Sequence, residues 1–141
     1  MKKAFKLVLT SLPFLYMIAI WIMSGNPDDM LLDLPSTSID RFIKEALHLV
    51  EFAILFILFV SALAANQKLK PGLSLLAALA SCLYGVLDEY HQSFVPYRSA
   101  TLIDVIKDII GVSAAYFHVQ YHYFKHGRGF LTYIEKVTAK K

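Results

Sequence analysis

Four long apolar stretches constrain this chain more than any other feature of its sequence. They cover approximately residues 6–24, 47–65, 73–90 and 102–124. Each approaches the roughly twenty residues that a helix needs to cross a bilayer core of about 30 Å. Backbone polar groups in lipid must be paired within the segment, so we expect helices rather than strands. The chain is 57% hydrophobic and only 18% charged, which argues against a soluble domain. These features predict an all-α integral membrane bundle of four transmembrane helices in one domain, residues 1–141.

The N-terminal stretch allows two interpretations. Lys2 and Lys3 precede an apolar run over residues 7–23, as in a secretory signal. That run is longer than a usual signal core, and no small-residue cleavage site follows it. The sequence therefore favours an uncleaved first span, with a cleaved signal peptide as the alternative.

The positive charges predict the orientation of the spans. Ten of the fourteen Lys and Arg residues lie before the first span, between the second and third, or after the fourth. The other two loops, with the span ends beside them, hold ten of the eleven Asp and Glu residues. Because cytoplasmic loops are enriched in Lys and Arg, both termini are predicted to be cytoplasmic.

Most of the unusual polar residues then fall at the outer ends of three spans. They lie on helix faces formed by Lys44, Glu45, His48 and Glu51, by Asp88, His91 and Gln92, and by Asp104, Lys107, Asp108 and Gly111, while Glu89 points a quarter-turn away from its neighbours. Residues three or four apart share one face of a helix. Ionisable groups are costly in lipid, so we expect the three faces to turn inward and meet in one pocket.

Each face also has a structural interpretation. Thr101 and Asp104 have the spacing of a capping box with Asp in place of Glu. His48 and Glu51 could be a structural pair, and residues 88–98 could be a polar helix end with a salt bridge in the loop. Ten polar groups on one membrane side nevertheless favour a functional site.

The residue types allow binding and catalysis. Carboxylates and imidazoles can hold a divalent cation, which could activate water or bind a phosphate oxygen. Without a metal, a carboxylate could transfer protons while Arg98 binds phosphate through both of its terminal nitrogens. Phosphate-loop, dinucleotide, paired-cysteine and serine-elbow motifs are absent from the sequence. The basic residues are divided between the two sides of the membrane, which speaks against nucleic acid.

Two features are predicted for the cytoplasmic side. His118 and His122 have the spacing of metal ligands, but the tyrosines around them favour an interfacial aromatic belt. Residues 130–141 have apolar side chains at helical spacing flanked by lysines. This pattern predicts a short amphipathic helix on the anionic inner leaflet.

The polar residues resemble the signature of the VanZ-like family, small bacterial membrane proteins named for a glycopeptide-resistance factor. The matching residues are Asp88-Glu89-Tyr90-His91-Gln92, Phe94-Val95-Pro96-Tyr97-Arg98, Asp104, Asp108 and Gly111, preceded by His48 and Glu51. Tyr97 replaces the family's usual glycine, Phe52 its tyrosine, and Glu45 its lysine, with Lys44 one position earlier.

The resemblance implies a role in the bacterial cell envelope, at the cytoplasmic membrane, and in some members lowered susceptibility to teicoplanin-like lipoglycopeptides. We expect a pocket that binds an anionic envelope ligand, a lipid-linked precursor or a lipoglycopeptide, through Lys44, His91, Arg98 and Asp108. A membrane-embedded hydrolase or transferase is the alternative, with His48, Glu51, Asp88, Glu89, Gln92 and Asp104 as catalytic residues. A small structural or transport subunit is a third possibility.

Overall fold

The computed structural model describes residues 2–26, 37–96 and 101–139, and the side chains of 37–45 and 48 lie outside that description. The described residues form helices and no strand, which confirms the all-α prediction. The elements are α1 (Lys2–Ser24), α2 (Thr37–Ala65), α3 (Pro71–Gln92), α4 (Leu102–Val119), a π-helical turn (Gln120–Lys125) and α5 (Phe130–Thr138). A helix therefore lies at each of the four predicted spans.

Local sequence signals explain several helix ends. Pro71 occupies the first turn of α3, where its missing N–H costs nothing. At the end of α2, Gln67 adopts a positive φ of 57°. The Lys68 N–H donates to the Leu63 carbonyl at 2.8 Å, and the Gln67 N–H donates to the Ala64 carbonyl at 3.0 Å. This is the Schellman pattern, which pairs the last helical carbonyls.

The beginning of α2 differs from the prediction. The second apolar stretch was predicted at approximately residues 47–65, but α2 is one helix of 29 residues that begins at Thr37. Lys44, His48 and Glu51 therefore lie on a single continuous helix, at spacings of four and three residues.

Helices α1 to α4 form an antiparallel bundle in which α2 packs against each of the others and against α5. The core follows one face of α2 through Phe52, Leu55, Phe56, Val60 and Ala64, all fully buried. At one end of the bundle, the Asn66 amide donates to Thr10 Oγ1 at 2.8 Å. The C-terminal ends of α1 and α3 meet at the other end.

Helix α3 buries its small and polar residues and exposes its large apolar ones. Its buried stripe is Ser74, Ala78, Ser81, Gly85, Asp88 and Gln92. By contrast, Leu75, Leu76, Leu79 and Leu83 are between 46% and 61% exposed. Small residues let helices approach closely in lipid, and an apolar outer surface this extensive is unusual for a soluble monomer. The exposure pattern is that of a helix surrounded by lipid.

Two helices among the described residues, α1 and α3, are long and apolar enough to cross a membrane. The apolar part of α2, Leu49–Ala65, is shorter, and α4 carries Asp104, Lys107 and Asp108 within its 18 residues. A signal sequence would also have the composition of α1. The four-span arrangement therefore stays a prediction at this point.

Helix α5 closes the end of the bundle opposite the ends of α1 and α3. Leu131 is buried, and Ile134 packs against the same core. The Tyr123 hydroxyl donates to Glu135 Oε2 at 2.8 Å, whereas Phe130 and Tyr133 remain exposed. The predicted amphipathic helix exists, but part of its apolar stripe faces the bundle instead of the surroundings.

Candidate functional site

The end of the bundle where α1 and α3 finish and α4 begins carries its most costly side chains. We call it the polar end and define it by Asp88, Glu89, Gln92 and Asp108. Their exposed fractions are 0%, 5%, 4% and 1%. Carboxylates are almost never buried this completely without compensation. The polar end is therefore the first candidate for a site selected for function.

Asp88 and Gln92 form a hydrogen-bonded pair on consecutive turns of α3. Gln92 Nε2 donates to Asp88 Oδ2 at 2.6 Å and also lies 3.5 Å from Ser24 Oγ on α1. The other carboxylate oxygen, Asp88 Oδ1, is buried with no hydrogen-bond partner among the described residues. The Gln92 amide thus holds one of the two carboxylate oxygens of Asp88 in place.

Asp108 of α4 lies against the same part of α3. A Cβ built on Gly85 of α3 would lie 3.3 Å from Asp108 Oδ2, so the absence of a side chain at Gly85 makes room for this carboxylate. Neither oxygen of Asp108 has a hydrogen-bond partner among the described residues. Asp108 interacts electrostatically with Glu89, Glu51, Asp88 and Asp104. Carboxylates of α2, α3 and α4 therefore converge, as the sequence predicted.

Gly111 sets the distance between α4 and α2. A Cβ on Gly111 would overlap the backbone carbonyl oxygen of Leu49, so only glycine allows this contact. Gly111 lies three residues after Asp108, on the same face of α4. The close contact of the two helices thus directs Asp108 toward α2 and α3.

The first turn of α4 is capped. Thr101 Oγ1 accepts the Asp104 N–H at 3.3 Å, and the Thr101 hydroxyl donates to Asp104 Oδ2 at 2.6 Å. Lys107 Nζ lies 3.0 Å from Asp104 Oδ1. The capping interpretation of Asp104 is therefore correct, and this residue has a structural role in addition to its place near the polar end.

Thr101→Ala is expected to lower the free energy of unfolding by about 1 kcal/mol, because the Asp104 N–H loses its cap. Thr101→Ser keeps the hydroxyl and should retain most of that stability. Chemical unfolding of both variants in detergent micelles measures the difference. Equal stability of the alanine and serine variants would show that the cap contributes nothing.

Helix α1 contributes residues that sequence reasoning missed. The rings of Trp21 and His91 stack with their centroids 3.9 Å apart and an interplanar angle of 14°. Gly25 lies beside the same ring, since a Cβ there would be in van der Waals contact with His91 Cε1 at 3.6 Å. His91 therefore packs against α1. A lone tryptophan at the outer end of the first span was the available signal.

Three predicted site residues, Lys44, His48 and Arg98, have side chains outside the described residues. No group of three or more His, Cys, Asp or Glu among the described residues is placed to hold a metal ion. Asp88 and Asp108 would need further ligands to hold a divalent cation. His118 and His122 are exposed, with ring centroids 4.3 Å apart and Tyr121 beside them, which fits the predicted aromatic belt.

Comparison with known proteins identifies the family. No curated protein and no solved structure matches the chain. The model of the family described as VanZ/LLP1 matches residues 3–123, a range that includes α2, α3, α4 and nearly all of α1. The chain therefore belongs to the VanZ/LLP1 family and is a VanZ-like membrane protein.

Proposed function

We propose that this protein crosses the bacterial cytoplasmic membrane four times, with both termini inside. Its polar end faces the extracytoplasmic side and binds an anionic headgroup of an envelope lipid or lipid-linked precursor. The observation that carries this proposal is the burial of Asp88, Glu89 and Asp108 at one end of a bundle whose outer surface is apolar. Such groups are costly in lipid, and functional sites are where they are retained.

The orientation rests on charge. Lys68 and Lys70 between α2 and α3, and Lys125 and Arg128 before α5, lie at the end opposite the polar end. Positive residues flanking spans remain in the cytoplasm. The polar end is accordingly outside, where it meets headgroups of the outer leaflet.

Cysteine labelling tests this orientation. The chain has one cysteine, Cys82, so Cys82→Ser provides a clean background. In intact cells, a membrane-impermeant maleimide should label Ser93→Cys, beside the polar end. It should label Lys68→Cys only after lysis. The reverse pattern would contradict the proposed orientation.

Phosphate recognition is assigned to basic residues around the polar end. Lys107 is half-buried beside Asp104, and the sequence adds Arg98 and Lys44. A guanidinium can bind two phosphate oxygens at once, which an ammonium group cannot do. The neighbouring carboxylates would orient these bases while the site is empty.

Binding of dihexanoyl phosphatidate to the detergent-purified protein tests this assignment. Trp21, the single tryptophan of the chain, provides a fluorescence signal close to the polar end. Arg98→Lys should weaken binding about tenfold, because the paired hydrogen bonds to phosphate are lost. Arg128→Lys at the opposite end is the matched control and should bind normally. Equal affinity in both variants would contradict the role of Arg98.

One observation favours a second candidate, a membrane-embedded hydrolase or transferase acting on a lipid-linked phosphate or cell-wall precursor. Asp108 is a buried carboxylate beside the Asp88–Gln92 pair, and a carboxylate in such surroundings is suited to proton transfer. Phosphate release from farnesyl diphosphate provides an assay. Turnover that is lost in Glu89→Gln while binding survives would support catalysis, and unchanged turnover would exclude Glu89 from it.

The resemblance to the glycopeptide-resistance factor supports a cellular consequence. Cells that express the protein are proposed to become less susceptible to teicoplanin. Arg98→Lys should reduce this protection, and Arg128→Lys should retain it, at equal protein levels. Identical susceptibility with and without the protein would show that binding of its ligand does not affect the action of teicoplanin.

A further inference from the structure

The polar end carries more negative than positive side chains. Its carboxylates are Glu51, Asp88, Glu89, Asp104 and Asp108. Among the described residues, the fixed positive charge beside them is Lys107. The five acids exceed this base by four. A ligand that brought only a phosphate would increase the excess of negative charge, so the ligand is expected to carry a positive group as well.

The two deepest carboxylates are the ones with oxygens that lack donors. Asp88 Oδ1 and both oxygens of Asp108 have no hydrogen-bond partner among the described residues. Asp88 is fully buried, and Asp108 is 1% exposed. Asp108 Oδ2 lies against Gly85, one turn before Asp88 on α3. Three acceptor atoms without donors thus lie on α3 and α4, and the two carboxylates interact electrostatically.

A primary ammonium group matches these acceptors. It has three N–H donors and no acceptor, whereas a magnesium ion requires octahedral coordination by oxygens. The described residues include no set of three acids, histidines or cysteines placed to hold a metal. Lys107, the nearby described ammonium, is already bound to Asp104 at 3.0 Å. The missing donors are therefore expected to come from the ligand.

We propose that the ligand is zwitterionic, a phosphate joined by a short linker to a primary amine, as in a phosphoethanolamine headgroup. This proposal rests on the proposed headgroup-binding function and changes one part of it: the phosphate is still the anionic group, but the headgroup as a whole is zwitterionic. The ammonium group binds between Asp88 and Asp108. The phosphate remains nearer the outer surface, beside Lys107.

The geometry suits a short linker. Lys107, the proposed phosphate ligand, is paired with Asp104. Asp104 precedes Asp108 by four residues, which corresponds to about 6 Å along the helix. The Asp88–Gln92 hydrogen bond can persist, because it uses Oδ2 and leaves Oδ1 for the amine. The lack of a side chain at Gly85 avoids the tight contact of 3.3 Å that a Cβ there would make with Asp108 Oδ2.

Three lipids with identical short acyl chains test the proposal on the full-length protein in detergent. Dihexanoyl phosphatidylethanolamine carries phosphate and ammonium, phosphatidylcholine lacks the N–H donors, and phosphatidate lacks the amine. Trp21 fluorescence follows binding. The ethanolamine lipid should bind about tenfold more tightly than either of the others, because charge-assisted hydrogen bonds are lost in both.

Two variants assign this preference to the acidic pair. Asp108→Asn should reduce the advantage of the ethanolamine lipid over phosphatidylcholine to about twofold or less, because the charged acceptor is gone. Its affinity for phosphatidate should not fall. Asp88→Asn provides the same test at the second carboxylate. Glu135→Gln makes the same chemical change at the opposite end and should keep the full preference.

The possible results separate this proposal from the one on which it rests. If phosphatidate binds the wild type as tightly as the ethanolamine lipid, the amine is not recognised and the anionic headgroup stands. If phosphatidylcholine binds as tightly, no N–H donor is needed and the ammonium site between Asp88 and Asp108 is excluded. Magnesium-dependent phosphatidate binding tighter than that of the ethanolamine lipid would assign the acidic pair to a metal and also exclude it. Saturable binding of none of the lipids would contradict both proposals.

Discussion

Replacement of Gly111 by alanine is expected to destabilise the bundle by about 3 kcal/mol. The new Cβ would overlap the Leu49 carbonyl oxygen, and a backbone atom cannot move aside by changing rotamer. Helices α2 and α4 would have to separate, which would disturb the packing that positions Asp108. Intrinsic helix propensity acts in the opposite direction, because alanine within a helix is more favourable than glycine by about 1 kcal/mol of folding free energy. Unfolding in detergent micelles measures the net result.

The other helical glycines provide controls. A Cβ on Gly72 meets no atom within 4 Å, so Gly72→Ala should be neutral or stabilising by at most about 1 kcal/mol. The stability of Gly85→Ala should lie between those of Gly72→Ala and Gly111→Ala, because its Cβ would lie 3.3 Å from Asp108 Oδ2 and 3.4 Å from Phe52 Cδ2. If Gly111→Ala were as stable as Gly72→Ala, the close contact of α2 with α4 would be wrong.

Asp108→Asn is expected to raise the free energy of unfolding by about 1–3 kcal/mol. The substitution keeps the side-chain shape but removes a buried charge that has no hydrogen-bond partner among the described residues. It also relieves repulsion from Glu89, Glu51, Asp88 and Asp104. Functional sites often retain such groups at the expense of stability.

Glu135→Gln is the matched control for this stability gain. The Glu135 carboxylate accepts a hydrogen bond from the Tyr123 hydroxyl at 2.8 Å. Replacing this carboxylate should therefore not raise the free energy of unfolding. If Asp108→Asn instead unfolds more readily than the wild type, the Asp108 carboxylate is a structural group and not one reserved for a ligand.

Much of the polar end could be predicted from spacing and the cost of charge in lipid. Residues three or four apart must share a helix face, and polar faces in lipid turn inward. These two rules bring Glu51, Asp88 and Asp108 together without any knowledge of the loops. The same spacing places Gly111 on the Asp108 face, three residues later.

Features that depend on which helices become neighbours could not be predicted in this way. The stack of Trp21 on His91 joins α1 to α3, and no periodicity within either helix specifies that contact. Leu131 is buried beneath the bundle, although its local pattern fits a membrane surface equally well. Helix α2 begins at Thr37 and therefore includes charged residues. Hydropathy alone predicts that this helix begins near Leu47.

On this account the polar end is kept for a ligand at a cost in stability, and one set of melting curves tests this most directly. Wild type and Asp108→Asn would be unfolded in detergent with and without dihexanoyl phosphatidylethanolamine. Without lipid, Asp108→Asn should be the more stable protein. At a lipid concentration of about 100 times Kd, the wild type should gain about 2.7 kcal/mol, and Asp108→Asn should gain much less. A less stable Asp108→Asn with the same gain as the wild type would contradict the account.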